Sequence, residues 1–164
     1  MMMRASAHDY CLASNVSCET AEADLVILVT NIIDFEGTFS KRLALQCGPR
    51  LMIVANKVDL LPARVPRSEV SAWLRSRLED MHIPHCGAFV TSALKKTGTR
   101  VLWEAVHQEL SGRGTVAVVG APHVGKTTLS EALSSLDQRR GRRRKRMPAR
   151  KRKKRKREAA GHGV

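Results

Sequence analysis

A glycine, four intervening residues, a second glycine and then Lys-Thr-Thr run from Gly120 to Thr128, directly after the apolar, β-branched stretch Thr115-Val116-Ala117-Val118-Val119. Gly120 and Gly125 allow the backbone to bend until successive N–H groups face one point, and the positive end of a following helix aims at the same point. An anion is what such an arrangement suits. Lys126 would reach the outer phosphates of a nucleoside triphosphate, and the Thr127 hydroxyl would take one position on Mg²⁺. Val124 and Thr128 complete the loop's phosphate-facing residues. Strand, loop and helix pattern occur together here, which a chance glycine-rich turn does not require. The base is left open by this stretch alone.

Asn56-Lys57-Val58-Asp59 narrows the base. It follows the apolar run Arg50 to Ala55, so Asp59 would sit past the carboxyl end of a strand. There a carboxylate accepts two hydrogen bonds from the N1–H and exocyclic amine of guanine, a pattern adenine cannot supply, and a polar pocket rejects a base that leaves it unpaired. Asn56 would tie this loop to the phosphate loop, and the Lys57 stem would lie along the base. Ser92 and Ala93, after the short strand Ala88 to Thr91, have main-chain N–H groups placed to donate to guanine O6. The candidate nucleotide-binding set is therefore Asn56, Lys57, Asp59, Ser92, Ala93, Gly120, Val124, Gly125, Lys126, Thr127 and Thr128, with Thr127 also on the metal. No residue is assigned to catalysis.

These loops need a parallel sheet to bring them together. Asp24 to Asn31 and Arg50 to Ala55 are continuous apolar runs of strand length, the pattern of strands covered on both faces. Helices are expected at Ser40 to Cys47, from a Ser68 cap to about Met81 with Val70, Trp73, Leu74, Leu78 and Met81 inward, and, after Thr97-Gly98-Thr99, to about Leu110 with Val101, Leu102, Ala105, Val106 and Leu110 inward. A last helix runs from Lys126 to about Ser135. Residues 1–23 are expected to be an irregular lead-in, 24–137 the nucleotide-binding domain and 138–164 a disordered basic tail.

The chain carries a net charge of +14, and residues 139–157 hold fifteen Lys or Arg and no acid, leaving 14 basic and 14 acidic residues in 1–138. The body is neutral. A run of like charge buries no core and attracts nucleic-acid phosphates in a salt-dependent way, with little sequence preference where aromatics are absent. The composition changes abruptly at Asp137, which fits either an RNA-binding arm or a truncated or shifted reading frame. Cys11, Cys18, Cys47 and Cys86 form no C-x-x-C pair, so free thiols rather than zinc or disulfides are expected. No apolar run is long enough for a membrane span, and the first 24 residues do not look like a targeting peptide. A cytoplasmic location is expected, and no membrane partner; an organelle stays open.

The order of the motifs is N-K-V-D, then Ser92-Ala93-Leu94, then the phosphate loop. In Ras-like GTPases the phosphate loop comes first. The chain resembles the circularly permuted GTPases, most closely the YqeH-type ribosome-assembly GTPases, which also carry a loop similar to Asp34-Phe35-Glu36-Gly37-Thr38-Phe39 after the first strand and a string similar to Asn56 to Pro62. That resemblance spans roughly Asp24 to Leu136. It implies a Ras-like, doubly wound, mostly parallel α/β fold in permuted order, binding of GTP and GDP with Mg²⁺, GTP hydrolysis, and small ribosomal subunit or ribosomal RNA partners.

Four features depart from that pattern. His123 stands where relatives carry an asparagine that helps seat a monovalent cation, and Leu94 replaces a small residue or lysine. The cysteine-rich zinc motif before the domain is absent. Between Leu136 and Val164 there is no switch threonine and no D-x-P-G, and Asp34-Phe35-Glu36-Gly37 matches the family's own loop at its place rather than that switch. The expectation is thus an incomplete sheet, with Val116 to Val119 as an exposed apolar edge, and slow hydrolysis. A basic RNA-binding protein with a vestigial nucleotide fold is the alternative.

Overall fold

A computed structural model describes residues 8–12, 22–111 and 114–146. Five strands, β1 (His8–Leu12), β2 (Leu25–Asn31), β3 (Leu51–Asn56), β4 (Gly87–Val90) and β5 (Gly114–Gly120), form one sheet in the order β1-β5-β2-β3-β4. Every pairing is parallel. The helices are α1 (Phe35–Thr38), α2 (Lys41–Cys47), α3 (Arg67–Asp80), α4 (Thr99–Glu109) and α5 (Lys126–Arg146).

Alternation along the central strands sorts their side chains between two layers. Val26, Leu28, Leu51, Ile53, Ala117 and Val119 pack with Phe35 of α1, Leu43, Ala44 and Cys47 of α2, and Val70, Leu74 and Leu78 of α3. Leu25, Ile27, Val29, Met52, Val54, Val116 and Val118 face the other way, onto Leu102 and Val106 of α4 and Leu129 and Leu133 of α5. This is a doubly wound α/β fold, as the continuous apolar runs imply. Parallel pairing sends the carboxyl ends of all five strands to the same rim.

Local chemistry fixes several boundaries. Ser40 caps α2 by accepting from Leu43 N–H, and Gly48, at φ +60°, ends it. Asp34 caps α1 through Gly37 N–H, while the Thr38 hydroxyl accepts from Asn31 N–H at 2.9 Å. One oxygen of the Asp34 carboxylate is therefore taken up within its own turn. Phe35 lies 4.9 Å from Phe39 and edge-on to Trp73 at 5.4 Å.

Five expectations are corrected. Within the lead-in, His8–Leu12 is a strand, and it pairs with β5 in the register Tyr10↔Val116 and Leu12↔Val118. The far edge of β5 is covered rather than exposed, because a row of open backbone donors and acceptors takes up whatever strand the chain can offer. Next, α5 does not stop near Ser135 but continues to Arg146. Its helix is already nucleated at the phosphate loop, so propagation through Gln, Arg and Lys, good helix formers, costs little despite their charge. The rest of the basic stretch, 147–164, lies outside the described residues. Ser68 is not a cap; the capping position is Pro66, two residues earlier, and α3 starts at Arg67. Trp73 and Val101 are 44% and 60% exposed rather than in the core. Trp73 still packs edge-on over Phe35, whereas Val101 sits on the outer side of α4.

The candidate nucleotide site

Three loops leave the rim at the ends of β3, β4 and β5, and one side chain joins them. Asn56, the last residue of β3, is 2% exposed. Its Nδ2 donates to the Val124 carbonyl of the β5 loop at 2.9 Å. Its Oδ1 accepts from Ala93 N–H at 2.9 Å and from the Thr91 hydroxyl at 3.2 Å, both on the β4 side. Val58 N–H also donates to the Thr91 carbonyl. The structure thus brings the N-K-V-D, Ser92-Ala93 and phosphate loops together, with Asn56 in the tying role read from the sequence.

The glycines of the phosphate loop answer to close approaches. A Cβ on Gly125 would lie 2.5 Å from Asn56 Nδ2, and one on Gly120 would run into the Val29 carbonyl of β2. Both also have positive φ, +95° and +144°. His123 occupies the left-handed region at φ +62°, a conformation that Asn, Asp and His tolerate better than other side chains. Lys126 lies over the loop, its Nζ donating to the carbonyls of Gly120 at 2.9 Å and Ala121 at 2.7 Å. Thr127 and Thr128 are exposed in the first turn of α5, and neither hydroxyl is tied to another described residue.

On the base side, Lys57 is left-handed at φ +67° and opens a turn of 3-10 helix, Val58–Leu60, that carries Asp59. Asp59 is half-buried, and no described residue takes up its carboxylate. The expectation for Ser92 and Ala93 needs correcting. Ser92 N–H donates to the Thr97 carbonyl, and Ala93 N–H is held by Asn56, so neither is a free donor. Lys95 N–H bonds Ser92 Oγ, leaving Leu94 N–H as the first donor of this turn without a described partner. That difference could not be read from residue types, since it follows from how the turn closes.

Magnesium fits these groups in a limited way. Among the described residues no cluster of three His, Cys, Asp or Glu forms. A hydroxyl at a helix head beside an anion loop suits a cation that keeps most of its shell from phosphate and water.

Comparisons with known proteins place this geometry. The chain is 35% identical over 130 residues to the chloroplastic GTP-binding protein Brassinazole Insensitive Pale Green 2 of Arabidopsis thaliana, covering 69% of this chain and 20% of that protein. It is 30% identical over 105 residues to YqeH of Bacillus subtilis, covering 63% of this chain and 28% of that protein. The chain belongs to the circularly permuted GTPases of the YqeH type. A GTP-binding protein of Methanocaldococcus jannaschii is 32% identical over 120 residues, covering 69% of this chain and 29% of its own length. The chain thus spans less than a third of each of these relatives. No model of a known protein family matches it. The crystal structure of YjeQ from Thermotoga maritima superposes with a TM-score of 0.44, covering 68% of this chain and 38% of that one at 25% identity.

In a permuted GTPase of this order the N-K-V-D loop precedes the phosphate loop in sequence yet lies beside it in space, and the Asn56 to Val124 bond is that adjacency. Among the described residues no helix is long and apolar enough to cross a membrane.

Proposed function

We propose that this chain binds GTP and GDP with Mg²⁺ and is weak or defective in GTP hydrolysis. The observation that carries the reading is the Asn56 clamp, which sets an unengaged Asp59 carboxylate and the Lys126 loop on one rim. Asp59 would accept from the guanine N1–H and exocyclic amine, with Lys57 along the base. O6 would take the Leu94 N–H, supported by the Ser92-Ala93 turn. Gly120, Val124, Gly125, Lys126 and Thr128 would surround the phosphates, where Lys126 would exchange its two carbonyl acceptors for phosphate oxygens. Thr127 would hold the metal, whose chemistry is to neutralise charge on the outer phosphates.

Phosphoryl transfer depends on positioning and charge stabilisation around the γ-phosphate, and none of the described residues is assigned to orient the attacking water, so weak or defective hydrolysis is part of this reading. The partner reading is the small ribosomal subunit or its RNA, and the compartment reading is cytoplasm, with an organelle as the other location.

Titration with fluorescent GDP tests the site. Wild type should bind, and Lys126→Ala and Asp59→Ala should each weaken binding by at least tenfold, an effect of about 1.4 kcal/mol. Asp59→Ala should also narrow the preference for guanine over adenine nucleotide. Wild-type protein with no measurable GDP affinity would leave only a vestigial nucleotide fold on a basic RNA-binding chain.

A further inference from the structure

The helix that begins with the phosphate-loop lysine does not end where its apolar residues do. Past Leu136 it continues as Asp137-Gln138-Arg139-Arg140-Gly141-Arg142-Arg143-Arg144-Lys145-Arg146 without a break. At 1.5 Å per residue the whole element is about 30 Å long, so it carries the basic stretch along one axis away from the phosphate loop.

The start of that stretch is fastened to α4. Trp103 Nε1 donates to Asp137 Oδ1 at 2.7 Å, and His107 Nε2 lies 3.1 Å from the same oxygen. The His107 ring lies tilted against Trp103 with centroids 4.1 Å apart, and the Arg140 guanidinium sits 5.2 Å above the indole. An acid and two aromatic rings thus hold the helix as far as Arg140, the second residue of the basic run, which a chain bearing only a solvated charge tail does not need.

We infer that residues 139–146 form a preorganised helical arm that docks on the phosphate backbone of a double-stranded nucleic acid. Seven of these eight residues are Arg or Lys, and the eighth is Gly141. Charge complementarity points to phosphates. The absence of any aromatic in the run argues against a single strand, where bases must stack. The absence of any apolar residue argues against a membrane surface, which an amphipathic helix enters by its apolar face. The inference goes beyond the nucleotide reading and does not depend on it.

The 164-residue chain is titrated by fluorescence anisotropy with a duplex RNA, a duplex DNA and vesicles containing anionic lipid. Binding to a duplex is expected to fall steeply with salt, and the tighter of the two names the nucleic acid. Gly141→Pro keeps every charge and breaks the helix, so it should weaken duplex binding by about threefold, whereas Gly141→Ala, a better helix former, should strengthen it. Amide exchange at 139–146 should slow on binding. Lys126→Ala should lose GDP affinity and keep duplex affinity, which separates failure of this arm from failure of the nucleotide site.

Equal duplex binding by wild type and Gly141→Pro would show that charge alone acts and overturn the arm. Equal or tighter binding to vesicles, or loss of duplex binding in Lys126→Ala, would overturn it too.

Discussion

Replacing Asn56 by alanine should do more damage than any other single change near the rim. The side chain is buried and makes three hydrogen bonds, to Val124, Ala93 and Thr91. Each is worth about 1 kcal/mol net, and a polar group left buried without a partner costs about 1–3 kcal/mol. Both loops lie at a solvent-facing rim, so water can recover part of the loss at Val124 and Ala93. About 2–4 kcal/mol is the expected destabilisation. For a domain of this size that is a fall in Tm of about 5–15 °C. Asn56→Asp separates the two ends of the clamp. It keeps acceptors for Ala93 N–H and Thr91, but faces the Val124 carbonyl with an oxygen, so the phosphate loop alone is released. Urea unfolding with and without GDP reads both effects. GDP must then order the loops itself, and a cost of about 2 kcal/mol appears as roughly thirtyfold weaker binding. An Asn56→Ala protein within about 0.5 kcal/mol of wild type and unchanged for GDP would refute the clamp, since that is the scale of an ordinary surface substitution.

Gly125→Ala sets a methyl against Asn56 Nδ2 at 2.5 Å on a backbone of φ +95°, so it should destabilise and weaken GDP binding. In the Asn56→Ala background the part due to that clash should vanish, leaving only backbone strain, as a double-mutant cycle by urea unfolding would show. Phe35→Ala, by contrast, empties a site beneath Phe39 and Trp73 and should cost about 3 kcal/mol by the same assay, while Arg77→Ala should cost under about 1 kcal/mol, because its ion pair with Glu36 is exposed. Cys86 sits at the surface yet should alkylate slowly at neutral pH. Burial of the thiol and the nearby Glu109 raise its pKa to about 11, and it donates to the Leu51 carbonyl. The folded state holds that proton over the interval from the ordinary thiol pKa to about 11, so whatever stability this adds is present below the interval and lost as pH rises through it; iodoacetamide kinetics against pH read the shift. In β1, an edge strand, successive N–H groups alternate toward β5 and toward solvent. Of Tyr10→Pro and Cys11→Pro, therefore, one should be tolerated and the other should free the edge of β5 and produce self-association by light scattering.

What was legible in the sequence is what burial dictates. Leu25–Asn31 and Leu51–Asn56 are covered on both faces, which leaves little choice but unbroken apolar residues, and their boundaries differ from the expected ones by a residue. The meeting of the N-K-V-D and phosphate loops was legible because parallel strands deliver their carboxyl ends to one rim. Which N–H of the Ser92 turn stays open was not, because Ser92 to Thr97 and Ala93 to Asn56 are decided by how that turn folds back on itself. Val101 also misled. It is spaced like a core residue of α4, but Thr99, Leu102 and Val106 take the buried face of that helix and Val101 stands outside it.

The two largest surprises, β1 and the far half of α5, share a cause. Neither carries an apolar pattern: His8-Asp9-Tyr10-Cys11-Leu12 is short and mixed, and Arg139 to Arg146 is all charge apart from one glycine. Each is structured by something already built. β5 offers open backbone groups along one side, and β1 satisfies them. The phosphate loop starts a helix, and Asp137, bonded to Trp103, carries it past the end of its apolar face. The strand and helix that flank the phosphate loop are therefore held from both directions, by β1 and β2 along β5 and by α4 against α5. A loop supported in this way keeps its N–H groups aimed without help from a ligand, so binding loses little entropy in ordering it. Weakening β1 or the Trp103–Asp137 contact should thus reduce GDP affinity from a distance, through the loop's order and not through any group that touches the nucleotide.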